Sequence, residues 1–251
     1  MKILHLTICL AAALPALAQS EDPQEAIKKL PPLPFKEEAV GNFSMKGVPP
    51  VVPNVEVKGF TMGTLFTVDA AFTTQHENNP PSAPFTLVLP KGADLFVAPG
   101  GKKTGNPELV KFTTATADKQ AVEILRFTNL TIPLQATPEE RLKLCAYLLQ
   151  KQALPGATKG YEKVMFLEIY ATKIGGNDAA CLHAHMLSPK TGDHFAVKLV
   201  GILHPTQPGS VLAFLMANTK LSEIKDPKDL GAKGTGVKII HSLKFLDAGK
   251  K

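Results

Sequence analysis

The fold is decided by residues 161–204, which read YEKVMFLEIYATKIGGNDAACLHAHMLSPKTGDHFAVKLVGILH. Apolar residues alternate with other residues in three segments of this stretch, and a period of two is typical of β-strands. Clusters of Gly, Asn, Asp and Pro at residues 173–178 and 188–193 separate the segments and are typical of hairpin turns. The pattern predicts two consecutive hairpins with one apolar side facing the core. The residues assigned to that side are Met165, Leu167, Ile169 and Ala171, then Leu182, Ala184 and Met186, then Phe195, Val197 and Leu199.

The opposite face of these strands carries the side chains best suited to chemistry. Because strand side chains alternate, the residues of the other parity share this second face. They are Phe166, Glu168 and Tyr170, then Cys181, His183 and His185, then His194, Ala196 and Lys198. If the first turn closes tightly, Glu168 lies next to His183. The sequence therefore predicts one surface with three histidines, a cysteine, a carboxylate and a lysine.

Two interpretations of this face remain open. In the first, it binds a zinc or copper ion, since both metals accept mixed nitrogen and sulfur ligands. The ligands would be Cys181, His183, His185 and His194. In the second, it is an ordinary solvent-facing or helix-covered strand surface, because alternation alone places polar residues there.

Three other residues of the face, Glu168, Tyr170 and Lys198, are candidates for binding a ligand or partner. Glu168 beside His183 has the composition of a general acid–base pair. However, the sequence places no nucleophile beside them and contains no Gly-x-Ser-x-Gly elbow. The sequence thus assigns no catalytic residue and favours a protein that is not an enzyme.

The N-terminal part of the chain has the features of a signal peptide followed by a spacer. In residues 1–18, Lys2 precedes a mostly apolar run that ends in a small-residue cleavage signal. Residues 19–53 are rich in proline and read as a tether, which leaves 54–251 as a single globular domain. No stretch approaches the roughly 20 consecutive apolar residues of a spanning helix. We therefore expect an exported protein without a transmembrane segment, either periplasmic or secreted.

Charge and cysteine content narrow the function further. The formal net charge is +6, but the lysines are dispersed and form no patch with interleaved aromatic residues, so we expect no nucleic-acid binding. Cys145 and Cys181 remain after removal of the signal peptide, a number compatible with one disulfide. The two can meet only if the helix that carries Cys145 covers the polar strand face, and the sequence leaves this open.

Several elements outside the hairpins are also predicted. A helix over residues 137–152 begins at Thr137, a good N-cap, with acidic residues in its first turn. Residues 210–218 are apolar on both faces, which predicts a central strand. Residues 235–245 fit either a helix or a strand.

Weaker patterns predict a strand over residues 66–72, a turn at 99–101 and a short second helix within 222–230. With the hairpins, these elements define an α+β fold. It has a mostly antiparallel sheet, one clear helix at about 137–152, a candidate C-terminal helix and a sandwich architecture.

The order of these elements resembles that of PsbP-like proteins, which are small α/β/α sandwiches. Phe85-Thr86-Leu87-Val88-Leu89-Pro90 is similar to their early strand, and Ile240-His241-Ser242-Leu243-Lys244-Phe245 to their closing segment. The resemblance spans residues 85–245 in element order. It implies a binding or assembly role, since that group has no shared catalytic site.

The sequence thus favours an exported non-catalytic binding or assembly module of the cell envelope. Its partner would be an envelope protein or a small ligand. The alternative is a periplasmic zinc- or copper-binding protein that uses the Cys-x-His-x-His strand face.

Overall fold

The computed structural model describes residues 29–40, 50–51, 64–89, 95–101, 106–134 and 136–246. The predicted signal peptide lies outside these ranges, as does most of the predicted tether. Within the described ranges, no helix is both long enough and apolar enough to cross a bilayer.

The described residues form strands and short helices in alternation. In chain order the strands are β1 (Pro50–Val51), β2 (Thr64–Val68), β3 (Phe85–Leu89), β4 (Leu95–Gly101), β5 (Asn106–Ala115), β6 (Ala121–Thr131), β7 (Glu162–Ile174), β8 (Asn177–Leu187), β9 (His194–Ile202), β10 (Gly209–Asn218) and β11 (Lys244–Phe245). The helices are α1 (Ala70–Gln75), α2 (Pro138–Leu148), a π-helical turn (Leu149–Ala153), α3 (Leu154–Ala157), a 3-10 helix (Pro227–Gly231) and α4 (Thr235–His241).

A large antiparallel sheet organises the described part of the chain. Its strand order is β4-β5-β6-β10-β9-β8-β7, and every neighbouring pair is antiparallel. Each residue of β10 is buried, which confirms the prediction of a central strand at 210–218. The two predicted hairpins are the β7–β8–β9 part of this sheet, so the stretch that decided the fold forms one edge of it.

Both faces of the large sheet carry apolar residues, and other elements of the fold cover each face. One face packs against the small sheet β1-β2-β3-β11 and against α4, through residues such as Phe66, Leu87 and Ile240. The other packs against α2, the π-helical turn and α3, through Cys145, Leu149 and Leu154. This arrangement confirms the predicted α+β sandwich.

The predicted helix at 137–152 is confirmed with a change at its end. Thr137 and Glu140 form a capping box, in which each side chain bonds the other residue's backbone N–H. The helix then continues through the π-helical turn into α3 rather than stopping. It crosses β9 closely at Gly201, where a Cβ atom would lie 2.1 Å from the sulfur of Cys145.

The question of the disulfide is settled by this packing. The helix carrying Cys145 covers the apolar face of the sheet, whereas Cys181 lies in the core on the opposite face. Both cysteines are free and buried. The condition for pairing, that the helix carrying Cys145 covers the polar face, is not met.

Three predictions from weaker patterns were wrong in part. Residues 70–75 form α1 instead of continuing a strand, because Asp69 caps a helix by accepting a bond from the Phe72 backbone N–H at 2.8 Å. Residues 99–101 end β4 rather than forming a turn. Within 222–230, helical structure begins only at Pro227, as a 3-10 helix.

The C-terminal segment contains both of the structures that the sequence left open. Residues 235–241 form α4, whose apolar residues Val237 and Ile240 are buried. The chain then turns and adds the short strand β11 to the edge of β3.

Candidate functional site

The central part of the predicted polar face of the hairpins is buried, whereas Phe166 and His194 at its outer end are exposed. Tyr170, Cys181 and His183 are buried, and Lys198 is 0% exposed. The 3-10 helix and residues 29–40, which we call the arm, lie over this face. Tyr170 and Lys198 were predicted to bind ligands on a surface, and that prediction was wrong because both side chains are enclosed.

The arm supplies the partner that buried Lys198 requires. The side chain of Glu38 is 3% exposed and forms an ion pair with Lys198. The same carboxylate lies 2.6 Å from Nε2 of His241 and 2.5 Å from the hydroxyl of Tyr170. Lys198 also donates to the carbonyl oxygen of Leu230 at 2.8 Å. Since an unpaired buried charge is very costly, Glu38 and Lys198 depend on each other.

Charge compensation governs the titration of Glu38. Burial alone would raise the pKa of its carboxyl group, but the hydrogen bond from His241 and the charge of Lys198 outweigh that effect. The pKa of Glu38 is therefore held well below its usual value, and the carboxylate is ionised at neutral pH.

A second set of contacts runs from Tyr170 toward the protein surface. The Tyr170 hydroxyl lies 3.1 Å from Nε2 of His183, whose Nδ1 lies 3.0 Å from a carboxylate oxygen of Glu168. Glu168 also forms an ion pair with Lys36 of the arm. The predicted proximity of Glu168 and His183 is thus confirmed by the strand register, which places them directly opposite each other.

His183 is neutral at pH 7 in this network. Burial and the nearby charge of Lys198 lower its pKa to about 4, although Glu38 and Glu168 act in the other direction. A neutral imidazole carries one ring proton and the Tyr170 hydroxyl another. Two protons can supply only two of the three contacts in this network, which join Glu38 to Tyr170, Tyr170 to His183, and His183 to Glu168. The network accepts a further proton only under acidic conditions.

The four predicted metal ligands do not converge. His185 and His194 stack, with Nε2 of His185 at 3.2 Å from Nδ1 of His194. His183 has both ring nitrogens engaged, and burial raises the pKa of the Cys181 thiol well above its usual value, which disfavours the thiolate that binds metals. No group of three His, Cys, Asp or Glu residues within the described ranges is placed to share an ion.

Sequence reasoning missed Glu38 and His241. Glu38 lies in a proline-rich segment that was predicted to be a tether, yet residues 34–36 hydrogen-bond to Ala171 of β7. For residues 29–40, and for Pro50–Val51, which form β1 beside β2, the spacer interpretation is therefore wrong; for the rest of 19–53 it stays a prediction. One signal was available: a lysine inside the apolar segment Phe195–Leu199 implies a buried acidic partner elsewhere in the chain.

The assignment of Met165 and Leu167 to the apolar core side was also wrong. Two β-bulges interrupt the pairing of β7 with β8, one between Glu162 and Met165 and one between Phe166 and Glu168. Each adds a residue and shifts the alternation, so the N-terminal half of β7 does not follow the parity of its C-terminal half. Met165 pairs with His185 and lies on the polar side of the sheet.

An open pocket of about 490 Å³ results at this end of the sheet. Its lining residues are Met165, Leu167, Glu168, His183, His185, Asp226, Pro227 and Lys228. The pocket thus lies between the apolar residues Met165 and Leu167 at the start of β7 and Glu168, the member of the polar network nearest to solvent. The volume is within the range of small-molecule sites, roughly 300–1,000 Å³, and its mixed lining is typical of them.

No protein-family model matches the chain, and no curated protein matches it significantly. Among solved structures, it is similar to cyanobacterial PsbP from Synechocystis sp. PCC 6803, at 13% identity and a TM-score of 0.46, over 78% of this chain and 98% of that one. It is also similar to LpqN of Mycobacterium tuberculosis, a protein involved in cell envelope biogenesis, at 16% identity and a TM-score of 0.40, over 66% and 86%. The Ran-binding protein Mog1p of Saccharomyces cerevisiae aligns at 10% identity and a TM-score of 0.37, over 65% and 90%.

These matches agree with the weak, fold-level resemblance to PsbP-like proteins that the element order predicted. At such identities the likeness concerns the fold alone.

Proposed function

We propose that this protein is an exported, non-catalytic binding or assembly module of the cell envelope, and that it binds through the pocket beside the N-terminal half of β7. One observation carries the proposal. The pocket lies next to the exposed apolar residues Val164 and Phe166, while Met165 and Leu167 form part of its wall. Exposed apolar surface of this extent is typical of binding sites.

The state of the polar groups supports binding over catalysis. Tyr170 and His183 contact each other through the hydroxyl and Nε2. Tyr170 also donates to Glu38, and Nδ1 of His183 contacts Glu168, so neither side chain is free to react. Cys181 is fully enclosed, and its raised pKa keeps it protonated, so it is a poor nucleophile. These residues hold the arm in place and leave the pocket with a mainly apolar wall and a charged rim.

The proposal that the protein is exported rests on the signal-peptide pattern of residues 1–18. Deletion of residues 2–18 should retain the protein in the cytoplasm, whereas the full chain should be released by osmotic shock or found in the medium. Equal cytoplasmic retention of both forms would contradict export.

The pocket is tested with the apolar anionic dye 8-anilinonaphthalene-1-sulfonate, whose fluorescence rises in apolar sites. The Leu167→Asp variant should lose most of the dye signal, because the change removes an apolar wall and adds a negative charge. Leu221→Asp is the matched control, since Leu221 is similarly exposed and does not line the pocket. Equal dye binding by both variants would refute the pocket as the site.

The alternative function, binding of zinc or copper, is favoured by one geometric feature. The nitrogens of His185 and His194 are 3.2 Å apart, a spacing compatible with two ligands on one tetrahedral ion. Burial and His194 also lower the pKa of His185, which keeps its ring neutral and able to coordinate. We therefore restrict the proposed metal site to these two histidines and ligands from outside the described chain.

Zinc titration by calorimetry tests this alternative. Binding should be lost in His185→Asn and in His194→Asn but retained in Cys181→Ser, which removes a buried thiol. The alternative fails if the histidine variants bind zinc as the unmodified chain does, or if the unmodified chain binds none.

A further inference from the structure

Three parts of the protein form the walls of the pocket, and each is linked to the arm. β7 contributes Glu168, which pairs directly with Lys36 of the arm. β8 contributes His183, whose Nε2 lies 3.1 Å from the Tyr170 hydroxyl. That hydroxyl donates to Oε1 of Glu38 at 2.5 Å. Two walls of the pocket are therefore connected to the arm by side-chain contacts.

The third wall is the start of the 3-10 helix, where residues 226–228 line the pocket. The carbonyl oxygen of Leu230 in this helix accepts a hydrogen bond from Lys198 at 2.8 Å. Lys198 also forms its buried ion pair with Oε2 of Glu38. The two oxygens of one carboxylate thus support two different walls of the pocket, β8 through Tyr170 and the 3-10 helix through Lys198.

The backbone of the arm has few bonds to the sheet. Within the described ranges it bonds to the sheet at Ala171 alone, whose N–H donates to the Pro34 oxygen and whose oxygen accepts from the Lys36 N–H, both at 2.9 Å. Residues 162–167 are exposed, so the arm closes the C-terminal half of β7 and leaves the N-terminal half open. A segment with so few backbone bonds opens more easily than the core of a domain.

Opening of the arm would remove all of these supports at once. Glu168 would lose its lysine partner and Tyr170 would lose Glu38, so the carboxylate and the imidazole in the pocket wall would be free to move. Lys198 would lose its counter-charge, and because an unpaired buried charge is costly, the closed arm is the dominant state. A ligand that fits the arranged walls therefore binds the closed state better than the open one.

We propose that docking of the arm and occupation of the pocket are coupled, and that Glu38 is the residue that positions the pocket walls. This inference rests on the proposed function, because the coupling acts on the same pocket. Coupling between two sites is reciprocal. A ligand in the pocket thus holds the arm against β7, and the docked arm raises the affinity of the pocket for that ligand.

Amide hydrogen exchange of the unmodified chain, with and without 8-anilinonaphthalene-1-sulfonate, measures the coupling. The reporters are the N–H groups of Lys36 and Ala171, which join the arm to β7, and the N–H groups of β10 are the reference. With the dye at about ten times its Kd, exchange at both reporters should slow by about tenfold. Their chemical shifts should stay the same, because the arm is already closed in most molecules.

Unchanged or faster exchange at the two reporters, while the dye slows exchange in β10, would overturn the coupling. The dye would then bind a protein with an open arm at least as well as one with a closed arm. If the dye does not bind the chain at all, the proposed function fails, and this inference fails with it.

The role of Glu38 is tested by dye affinity in two variants. Glu38→Gln should weaken dye binding at least about fivefold. Glu37→Gln is the matched control, because Glu37 is an exposed neighbour on the arm, and it should bind as the unmodified chain does.

The second variant keeps the buried ion pair, so that it tests the link if Glu38→Gln does not fold. Tyr170→Phe removes only the hydroxyl between Glu38 and His183, and should weaken dye binding about threefold or more. The dye should also slow exchange at the two reporters less than in the unmodified chain, an effect that a loss of overall stability does not produce. Tyr147→Phe, on the helix that covers the other face of the sheet, is the control. Dye affinity and reporter exchange in Tyr170→Phe equal to those of the control would overturn the positioning role of Glu38.

Discussion

The two halves of β7 differ although they belong to one strand. The C-terminal half, residues 169–174, is closed by the arm and carries Tyr170, which is buried in the network around Glu38. The N-terminal half, residues 162–167, is exposed and apolar. The comparison indicates that the buried Lys198 determines which half of β7 the arm covers. Lys198 requires an acidic partner, the arm supplies it, and the arm's backbone then bonds to β7 beside that site.

The largest expected effect comes from removing the partner of Lys198. Glu38→Ala leaves Lys198 buried without a counter-charge and should lower the free energy of unfolding by about 3–5 kcal/mol. Urea unfolding measures the change. Glu37→Ala is the matched control, because Glu37 is an exposed neighbour on the same arm, and it should stay within about 0.5 kcal/mol of the unmodified chain. A loss for Glu38→Ala no larger than for Glu37→Ala would show that the arm does not close this half of β7.

The second effect is a pH dependence that comes from His183. Its pKa is about 4 in the folded protein, below the usual value near 6.5, so between these values the unfolded chain binds more protons. Stability should therefore be greatest above about pH 6.5 and decrease as the pH falls toward 4, by up to about 1.4 kcal/mol per pH unit.

In His183→Gln this slope should be much reduced, although His185, whose pKa is also lowered, contributes a remaining part. Unfolding measured at several pH values compares the two proteins. An unchanged slope in the variant would mean that His183 is not the titrating group.

A smaller effect is expected from Lys36, which pairs with Glu168 at the outer end of the network. The lysine side chain is half exposed, so solvent screens the pair. Lys36→Ala should cost about 1 kcal/mol or less, and the cost should shrink in high salt. Thermal unfolding at low and high salt gives the comparison, and a cost as large as that of Glu38→Ala would contradict the account.

The smallest effect on stability should come from the open half of β7. Phe166→Lys should change the free energy of unfolding by about 0.5 kcal/mol or less, since the methylene groups of lysine cover much of the same surface. A large loss of stability in urea unfolding would show that Phe166 belongs to the core rather than to the exposed surface.

The sequence predicted the features that depend on local pattern. The alternation in β8 and β9, the apolar run that forms the central strand β10, the capping of α2 at Thr137 and the opposition of Glu168 and His183 were all predicted correctly. What it missed depends on contacts between distant residues. Glu38 and Lys198 are 160 positions apart, and nothing local distinguishes Glu38 from exposed Glu37. The bulges in β7 were missed because one added residue reverses parity without any glycine or proline to mark it.

The most direct test of the proposed function is to map the dye onto the isotopically labelled chain by NMR. We predict that backbone amide shifts will change at residues 165–168, 183–185 and 226–228, which surround the pocket. Signals from Ala171 and the arm residue Phe35 should stay unchanged, because that half of β7 is already closed. Shift changes centred on the arm or on the opposite edge strand β4, with none around the pocket, would contradict the claim that the protein binds through the open half of β7.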